Sequence, residues 1–325
     1  MGSSRLEIQG NDFVLQGQKH RILSGSVSYF RMLPEQWRDR LEKLLALGCN
    51  CVEVYVPWNL HEASEGDFDF QGRKDLYGFL KLCEELELDV LLRPGPYICA
   101  EWDLGGLPWW LLKGPDPRPL RSSDKDFLMA VGRWWGELLP KLRRFLAVNG
   151  GPIIAIQIEN EYGYWGIDKA YLQELRDLVS THLPDCLLFT SDGTFWPDLQ
   201  QNGGLEDVLR TANFGSDARQ RLQELRAAQR EGPLCNMEFW VGAARGARSS
   251  PGRLVRRLGR LDGQELPRPR GCGADAARHA GGGGVGELLR LPWRHLLWLL
   301  WAWWQPVECG ALRASSDVLR LRRPA

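Results

Sequence analysis

Residues 150–163 read GGPIIAIQIENEYG and carry the clearest strand pattern of the chain. The two glycines and Pro152 end a preceding pattern of helical period that runs from Phe127 to Phe145. The apolar run Ile153–Glu159 then predicts a short strand that is buried on both faces, which is typical of parallel sheets covered by helices. Polar residues follow immediately, at the carboxyl end of the predicted strand.

The same alternation of short apolar runs and helical patterns extends in both directions from this strand. It predicts a parallel sheet built from βαβ units. The first predicted strand ends in GSVSY and is not followed by the glycine-rich phosphate loop of a doubly wound sheet, so we favour a (β/α)8 TIM barrel that is incomplete at its C-terminal end. The six further predicted strands are Ile22–Tyr29, Cys51–Val56, Asp89–Gly95, Cys186–Asp192, Leu209–Gly215 and Pro233–Phe239.

Composition divides the chain into two parts. Residues 1–242 have a net charge of −9, whereas residues 243–325 contain 15 Arg and no Lys, and have a net charge of +9. The second part also lacks Ile, Phe, Tyr, Met, Asn and Thr. We therefore expect a barrel of seven βα units over 1–242 and a disordered, aberrant Arg/Gly-rich tail over 243–325. A wrong reading frame, a retained intron or a natural Arg/Gly-rich tail would each give such a composition.

Several classes of function are disfavoured by the same arithmetic. The formal net charge of the whole chain is zero, so no nucleic-acid partner is expected. No apolar run approaches the length of about 20 residues that a membrane-spanning helix needs. The first 13 residues contain no apolar stretch typical of a signal peptide, and the compartment stays open.

Carboxylates follow two of the predicted strands, Glu159 and Glu161 after the fourth and Glu238 at the end of the seventh. In a barrel these strand ends converge on one mouth, where two carboxylates can divide the roles of acid and nucleophile. The simpler alternative is a pair of surface or salt-bridged residues. Aromatic residues nearby suit the C–H faces of sugars, although Trp109 and Trp110 fit a buried core equally well.

Four long motifs resemble those of the glycoside hydrolase family 35 β-galactosidases, in particular the vertebrate β-galactosidase-1-like proteins. They occur in the family's order and span most of residues 6–242. The motifs are VEVYVPWNLHE (Val52–Glu62), RPGPYICAEWDLGGLPWWL (Arg93–Leu111), IIAIQIENEYGYW (Ile153–Trp165) and MEFWVG (Met237–Gly242).

The resemblance implies a retaining exo-β-galactosidase that needs no metal and no organic cofactor, acting on a β-galactoside substrate. Glu161 matches the family's acid/base, Glu238 matches its nucleophile, and Glu159 becomes a supporting residue. Trp240 stands where the family often has a tyrosine near the nucleophile, so rate or substrate range is expected to differ. The matched galactose-binding positions are Tyr55, Ile98, Cys99, Ala100, Glu101 and Asn160, and we add Trp240 to this set.

Two alternatives stay open on the sequence alone. One is a different retaining glycosidase on the same barrel, and the other is a galactoside-binding relic or interaction protein without turnover. The tail lacks the family's eighth-strand motif with its sugar-contacting tyrosine. Because an open barrel leaves strand edges unpaired, we expect little activity from the chain as written.

Overall fold

The computed structural model of the protein describes residues 5–113 and 119–239. The domain boundary predicted at residue 242 and the predicted tail over 243–325 lie outside these ranges. The described part contains one large parallel sheet, a small antiparallel sheet near the N-terminus, and helices that cover the large sheet.

The large sheet has seven strands in the order β10-β9-β8-β7-β6-β5-β4, and every neighbouring pair is parallel. Its strands follow one another in chain order, which is the arrangement of a (β/α)8 barrel. All seven predicted strands are present, although the first and the last have only three residues each and are shorter than the sequence indicated. The ten strands are β1 (Leu6–Gln9), β2 (Asp12–Leu15), β3 (Gln18–Lys19), β4 (Ser24–Ser26), β5 (Cys51–Tyr55), β6 (Asp89–Arg93), β7 (Ile153–Gln157), β8 (Leu187–Gly193), β9 (Leu209–Asn213) and β10 (Asn236–Glu238).

Helices connect the strands and begin close to where the periodicity predicts. Pro34 is the first residue of α1, and Asp124 caps α4 by accepting hydrogen bonds from two backbone amides of its first turn. The α-helices are α1 (Pro34–Ala46), α2 (Trp58–His61), α3 (Leu76–Glu85), α4 (Lys125–Leu142), α5 (Tyr162–Trp165), α6 (Lys169–His182), α7 (Leu199–Gly203) and α8 (Ala218–Ala228). The 3-10 helices are Tyr29–Arg31, Gly72–Lys74, Asp103–Gly106, Trp109–Leu112, Arg143–Phe145 and Ala147–Asn149.

The antiparallel sheet of β1, β2 and β3 was not predicted. Its first hairpin turns at Gly10-Asn11, where Gly10 has a φ of 61°, and the glycine-asparagine pair is a recognisable hairpin signal. Leu6 and Phe13 project from this sheet into the interior of the curled large sheet, where they pack among residues such as Cys51 and Leu209. Cys51 and Leu209 are the first residues of β5 and β9. The small sheet therefore closes the amino-terminal end of the barrel.

Two apolar layers hold the sheet in place. The larger layer lies between the strands and the surrounding helices, and Trp134 and Trp135 of α4 are completely buried in it. The smaller layer fills the interior near the amino-terminal strand ends. Strands β4 and β10 are the two outer strands of the sheet, and within residues 5–113 and 119–239 no strand joins them. The domain is therefore an incomplete (β/α)8 barrel of seven strands.

None of the helices in the described ranges combines the length and the apolar composition that crossing a membrane would require.

The small sheet should contribute directly to stability. Leu6 is 1% exposed, and Leu6→Ala should lower the free energy of unfolding by about 3 kcal/mol, because it removes buried apolar surface and leaves a cavity. Leu47 is 56% exposed, so Leu47→Ala should change it by less than about 1 kcal/mol. Urea unfolding of the two variants measures both changes. If Leu6→Ala lowers the free energy of unfolding no more than Leu47→Ala does, the small sheet does not close the barrel.

Candidate active site

At the carboxyl ends of the strands, the interior of the sheet changes from apolar to polar. Consecutive strands of the large sheet each supply a polar side chain to this end, which is the face where parallel barrels carry their active sites. Most of these side chains are buried and joined by hydrogen bonds. They are Glu53, Arg93, Gln157, Ser191, Asn213 and Glu238.

Arg93, the last residue of β6, is the centre of this layer and is 1% exposed. Its guanidinium donates to Glu53 Oε1 at 2.9 Å, to Glu238 Oε1 at 2.6 Å and to the amide oxygen of Asn160 at 2.5 Å. It also donates to the hydroxyl of Tyr55, whose ring lies 4.2 Å from the guanidinium carbon. Tyr55 in turn donates to Glu238 Oε1 at 3.3 Å. One buried cation thus orients four side chains.

The two carboxyl groups that bind Arg93 differ in their surroundings. Burial raises the pKa of Glu53 to about 8, with Arg93 opposing this shift and the negative charge of Glu238 adding to it. The side chain of Glu53 is 0% exposed, whereas that of Glu238 is 15% exposed. Glu53 therefore holds a proton at neutral pH, which leaves the charge of Arg93 to pair with Glu238.

Glu161 lies just beyond β7, on the neighbouring side of the same mouth. Its backbone N–H donates to the carbonyl of Ser191, and its Oε1 accepts a 3.1 Å hydrogen bond from the amide of Asn213. The Ser191 hydroxyl donates to the amide oxygen of Asn213 at 2.5 Å, which fixes the orientation of that amide. Asn213 also pairs in register with Glu238 of β10. Strand β9 therefore positions Glu161 and Glu238 together.

The pKa of Glu161 is raised to about 7, first by burial and then by the negative charge of Glu238. The hydrogen bond from Asn213 opposes this shift. A carboxyl group with such a pKa carries a proton over the lower part of the physiological range and can deliver it. The mouth thus combines a carboxyl group that keeps a proton with a second carboxyl group that is bound to a buried cation.

Glu159 and Asn160, the other acidic-motif residues, have different partners. Arg121 donates to both oxygens of Glu159 at 3.1 and 2.7 Å, and Tyr171 donates to one of them at 2.6 Å. Glu159 is therefore engaged in a buried ion pair, as expected of a supporting residue. The side-chain nitrogen of Asn160 is buried and has no hydrogen-bond partner within the described ranges.

The segment Ile98–Glu101 follows β6 and forms one wall of the mouth. Its last three residues have φ values of 57°, 53° and 45°, a left-handed conformation that costs about 1–2 kcal/mol for each residue with a side chain. Arg31 donates to the carbonyls of Ala100 and Glu101 at 2.6 and 2.9 Å, and the amide of Ile98 donates to the carbonyl of Gly105. These bonds hold the segment in its strained shape.

Glu101 is exposed at the edge of this wall. Partial burial raises the pKa of its carboxyl group, and the charge of Glu238 raises it further. The carboxyl group of Glu101 is therefore within electrostatic range of Glu238. The structure thus brings all of the predicted site residues of the described ranges to one end of the barrel.

The aromatic residues of the motifs divide between core and surface. Trp58 and Trp110 are 0% and 2% exposed, with ring centroids 5.7 Å apart, so the core interpretation holds for them. Trp109 is 59% exposed and donates through its indole N–H to the carbonyl of Ala63. Trp240, the predicted position near the nucleophile, lies outside the described residues.

Sequence reasoning missed the residues that position this site from a distance. Arg31 and Arg121 lie in connecting segments, and nothing in their local sequence indicates their partners. Asn213 and Ser191 end or nearly end predicted strands, so their place at the mouth could have been inferred from that position alone.

Substitutions within the buried network should have unequal effects at pH 7. Arg93→Met should lower the free energy of unfolding by about 3–5 kcal/mol, because it leaves buried carboxyl groups without their cation. Glu53→Gln should change it by less than about 1 kcal/mol, because Glu53 already holds a proton and glutamine keeps its shape. Urea unfolding of both variants provides the measurement, and a loss for Glu53→Gln as large as that for Arg93→Met would refute the protonated state.

The stability of the protein should also depend on the proton of Glu161. Its pKa is about 7 in the folded chain and 4.5 in a model peptide, so the folded state binds more protons between these values and loses stability as the pH rises. The stability of Glu161→Gln relative to the unmodified chain should therefore grow by about 2–3 kcal/mol from pH 5 to pH 8. Unfolding at both pH values tests this, with Glu42→Gln on the exposed face of α1 as control. A difference that stays constant with pH would contradict it.

Comparison with solved structures shows the fold. The exo-β-1,4-mannosidase Op5Man5 from Opitutaceae bacterium strain TAV5 superposes with a TM-score of 0.53. The two sequences are 16% identical, and the match covers 74% of this chain and 48% of that chain.

Comparison with curated sequences gives much closer relatives. A β-galactosidase of Felis catus is 48% identical over 242 residues, which is 73% of this chain and 36% of the relative. Beta-galactosidase 17 of Arabidopsis thaliana is 45% identical over 248 residues, with 74% and 36% covered. The chain thus spans about 36% of the length of these relatives. Residues 12–248 match the sequence model of glycosyl hydrolases family 35, and the chain belongs to this family.

Proposed function

We propose that the protein is a retaining exo-β-galactosidase with Glu161 as acid/base and Glu238 as nucleophile. The observation that carries this proposal is the pair of unlike carboxyl groups at one mouth of the barrel, one with a pKa of about 7 and one hydrogen-bonded to Arg93. Retaining glycosidases use two carboxyl groups in these two roles.

Glu161 is suited to protonate the leaving group. In the first step its proton passes to the glycosidic oxygen as the bond from that oxygen to the anomeric carbon breaks. Glu161 is then ionised and can take a proton from a water molecule in the second step. Asn213 stabilises this ionised form through its amide, and the Glu238 charge that raises the pKa of Glu161 in the free chain is absent once Glu238 is esterified.

Glu238 is suited to attack the anomeric carbon. Arg93 and Tyr55 both donate to its Oε1, and these bonds orient the carboxylate toward the interior of the mouth. Attack forms a covalent glycosyl-enzyme, and water then displaces Glu238 with net retention of the anomeric configuration.

A galactosyl unit would bind among the remaining residues of the mouth. The backbone of Ile98, Cys99 and Ala100 and the carboxyl group of Glu101 form one wall. The buried amide nitrogen of Asn160 needs a hydrogen-bond acceptor, which a sugar hydroxyl can provide. Galactose is the sugar named by the curated relatives, each of which is a β-galactosidase.

Substitution and chemical rescue separate the two carboxyl roles. The chain as written should hydrolyse aryl β-galactosides slowly and with retention, and kcat/KM should fall above about pH 7 as Glu161 loses its proton. Glu161→Ala should reduce hydrolysis of substrates with poor leaving groups by about 100-fold or more. Azide should then restore turnover of 2,4-dinitrophenyl β-galactoside and give β-galactosyl azide, whereas Glu238→Gly with azide should give α-galactosyl azide.

Three outcomes would contradict this proposal. A product of inverted anomeric configuration would exclude Glu238 as nucleophile. Faster hydrolysis of aryl β-glucosides than of aryl β-galactosides would assign a different retaining glycosidase. Galactose binding without any turnover would assign a galactoside-binding protein, and Glu42→Gln serves as the carboxylate control throughout.

A further inference from the structure

Two large aromatic side chains are exposed where β8 ends. Phe195 and Trp196 follow this strand at the same end of the barrel as the carboxyl groups, and they are 40% and 52% exposed. Single exposed apolar residues are common on protein surfaces and need no explanation. The surroundings of these two residues distinguish them.

Trp196 contacts Tyr164, which lies three residues after the proposed acid/base Glu161. Its ring centroid lies 5.6 Å from that of Tyr164, with the two rings inclined at 72°. Tyr164 belongs to α5, which starts directly after Glu161, and its backbone N–H donates to the carbonyl of Glu161 at 3.1 Å. Burial raises the pKa of the Tyr164 hydroxyl, and the charges of Glu161 and Glu238 are among the causes that raise it further. Contacts therefore run from Glu161 to Tyr164 and from Tyr164 to Trp196.

The backbone of β8 fixes the position of Tyr164. A Cβ atom built on Gly193 would lie 2.0 Å from the Tyr164 hydroxyl oxygen, so the phenol rests directly on the end of the strand where only glycine fits. Tyr164 is held on one side by this contact and meets Trp196 on its ring. Tyr164 is thus fixed by the strand, and Trp196 packs edge-on against it.

Polar groups in need of partners lie beside this surface. Thr194, between Gly193 and Phe195, is 5% exposed, and its hydroxyl oxygen has no hydrogen-bond partner within the described ranges. The Nε of Arg221 is also buried without a hydrogen bond there, and its guanidinium lies 4.3 Å from the ring of Phe195. Buried polar groups are rarely left unsatisfied, and ligand hydroxyls often complete them.

We propose that Tyr164 and Trp196 form the leaving-group subsite and bind a pyranose ring, the sugar unit to which galactose is β-linked. This inference rests on the proposed function, since the acid/base must lie next to the oxygen that departs with the leaving group. An aromatic surface accepts the C–H face of a sugar, and the unsatisfied hydroxyl of Thr194 accepts or donates a hydrogen bond to its rim. A purely apolar leaving group would leave Thr194 without a partner.

Equilibrium binding to the unmodified full-length chain tests this subsite without turnover. The probes are methyl β-thiogalactoside and the sulfur-linked disaccharide β-thiolactose, both measured by titration calorimetry. The disaccharide should bind about tenfold more tightly, as expected for one additional stacking contact with a hydrogen bond. Trp196→Ala should remove most of this gain and leave binding of the methyl galactoside unchanged.

Two further variants complete the comparison. Trp196→Phe should restore part of the gain, because phenylalanine retains an aromatic face. Met129→Ala should leave both affinities unchanged, because Met129 is equally exposed, at 52%, but lies on helix α4.

Each contrary result has a distinct meaning. Equal affinity of the chain for the two probes, or an equal loss of both in Trp196→Ala, would overturn the subsite while the proposed function stands. If octyl β-thiogalactoside binds as tightly as the disaccharide, and Trp196→Ala removes this increase in affinity, the subsite takes an apolar group and the assignment to a sugar is wrong. If neither galactoside binds, the proposed function fails and this inference fails with it.

Discussion

The contact between Arg93 and Glu238 constrains the whole domain. Arg93 ends β6 and Glu238 ends β10, and these strands are four positions apart in the sheet. In a flat sheet they would be separated by about 19 Å, which is more than the two side chains can span together. The observed distance of 2.6 Å therefore requires a curled sheet. A sheet curled this far encloses a narrow interior. The small sheet that carries Leu6 and Phe13 fills this interior at the amino-terminal ends of the strands.

The same contact decides how charge is distributed at the mouth. One buried guanidinium faces Glu53 and Glu238, and a single cation cannot neutralise two ionised carboxyl groups in a region of low dielectric constant. Burial raises the pKa of Glu53 to about 8, whereas Glu238 lies nearer to solvent and accepts a hydrogen bond from Arg93. The two proposed catalytic carboxyl groups thus differ because Arg93 pairs with Glu238, whereas burial first and then the charge of Glu238 raise the pKa of Glu161.

The strand ends were predictable from the sequence, and the contacts that hold them were not. The apolar run before Glu161 and the one before Glu238 indicated where both residues lie, because parallel strands bring their carboxyl ends to one face. The hydrogen bonds from Asn213 to Glu161 and from Arg31 to the carbonyl of Ala100 join residues that are distant in sequence. No local pattern encodes such contacts. Trp58 shows the opposite difficulty, since a motif full of aromatic residues gives no information on which ring faces the core.

Strand β10 is short, and hydrogen bonds from residues outside it hold Glu238 in place. It has three residues and pairs with β9 through a register shift, so its own ladder holds Glu238 weakly. Three bonds compensate, one from the Phe214 amide to the Glu238 carbonyl and two to its carboxylate, from Arg93 and from Tyr55. The backbone bond fixes the height of Glu238 along the sheet, and the ion pair fixes its direction across the interior. The proposed nucleophile would have to present one oxygen to a reacting carbon and so needs both constraints; here the residue after β9 supplies the first, and β5 and β6 supply the second.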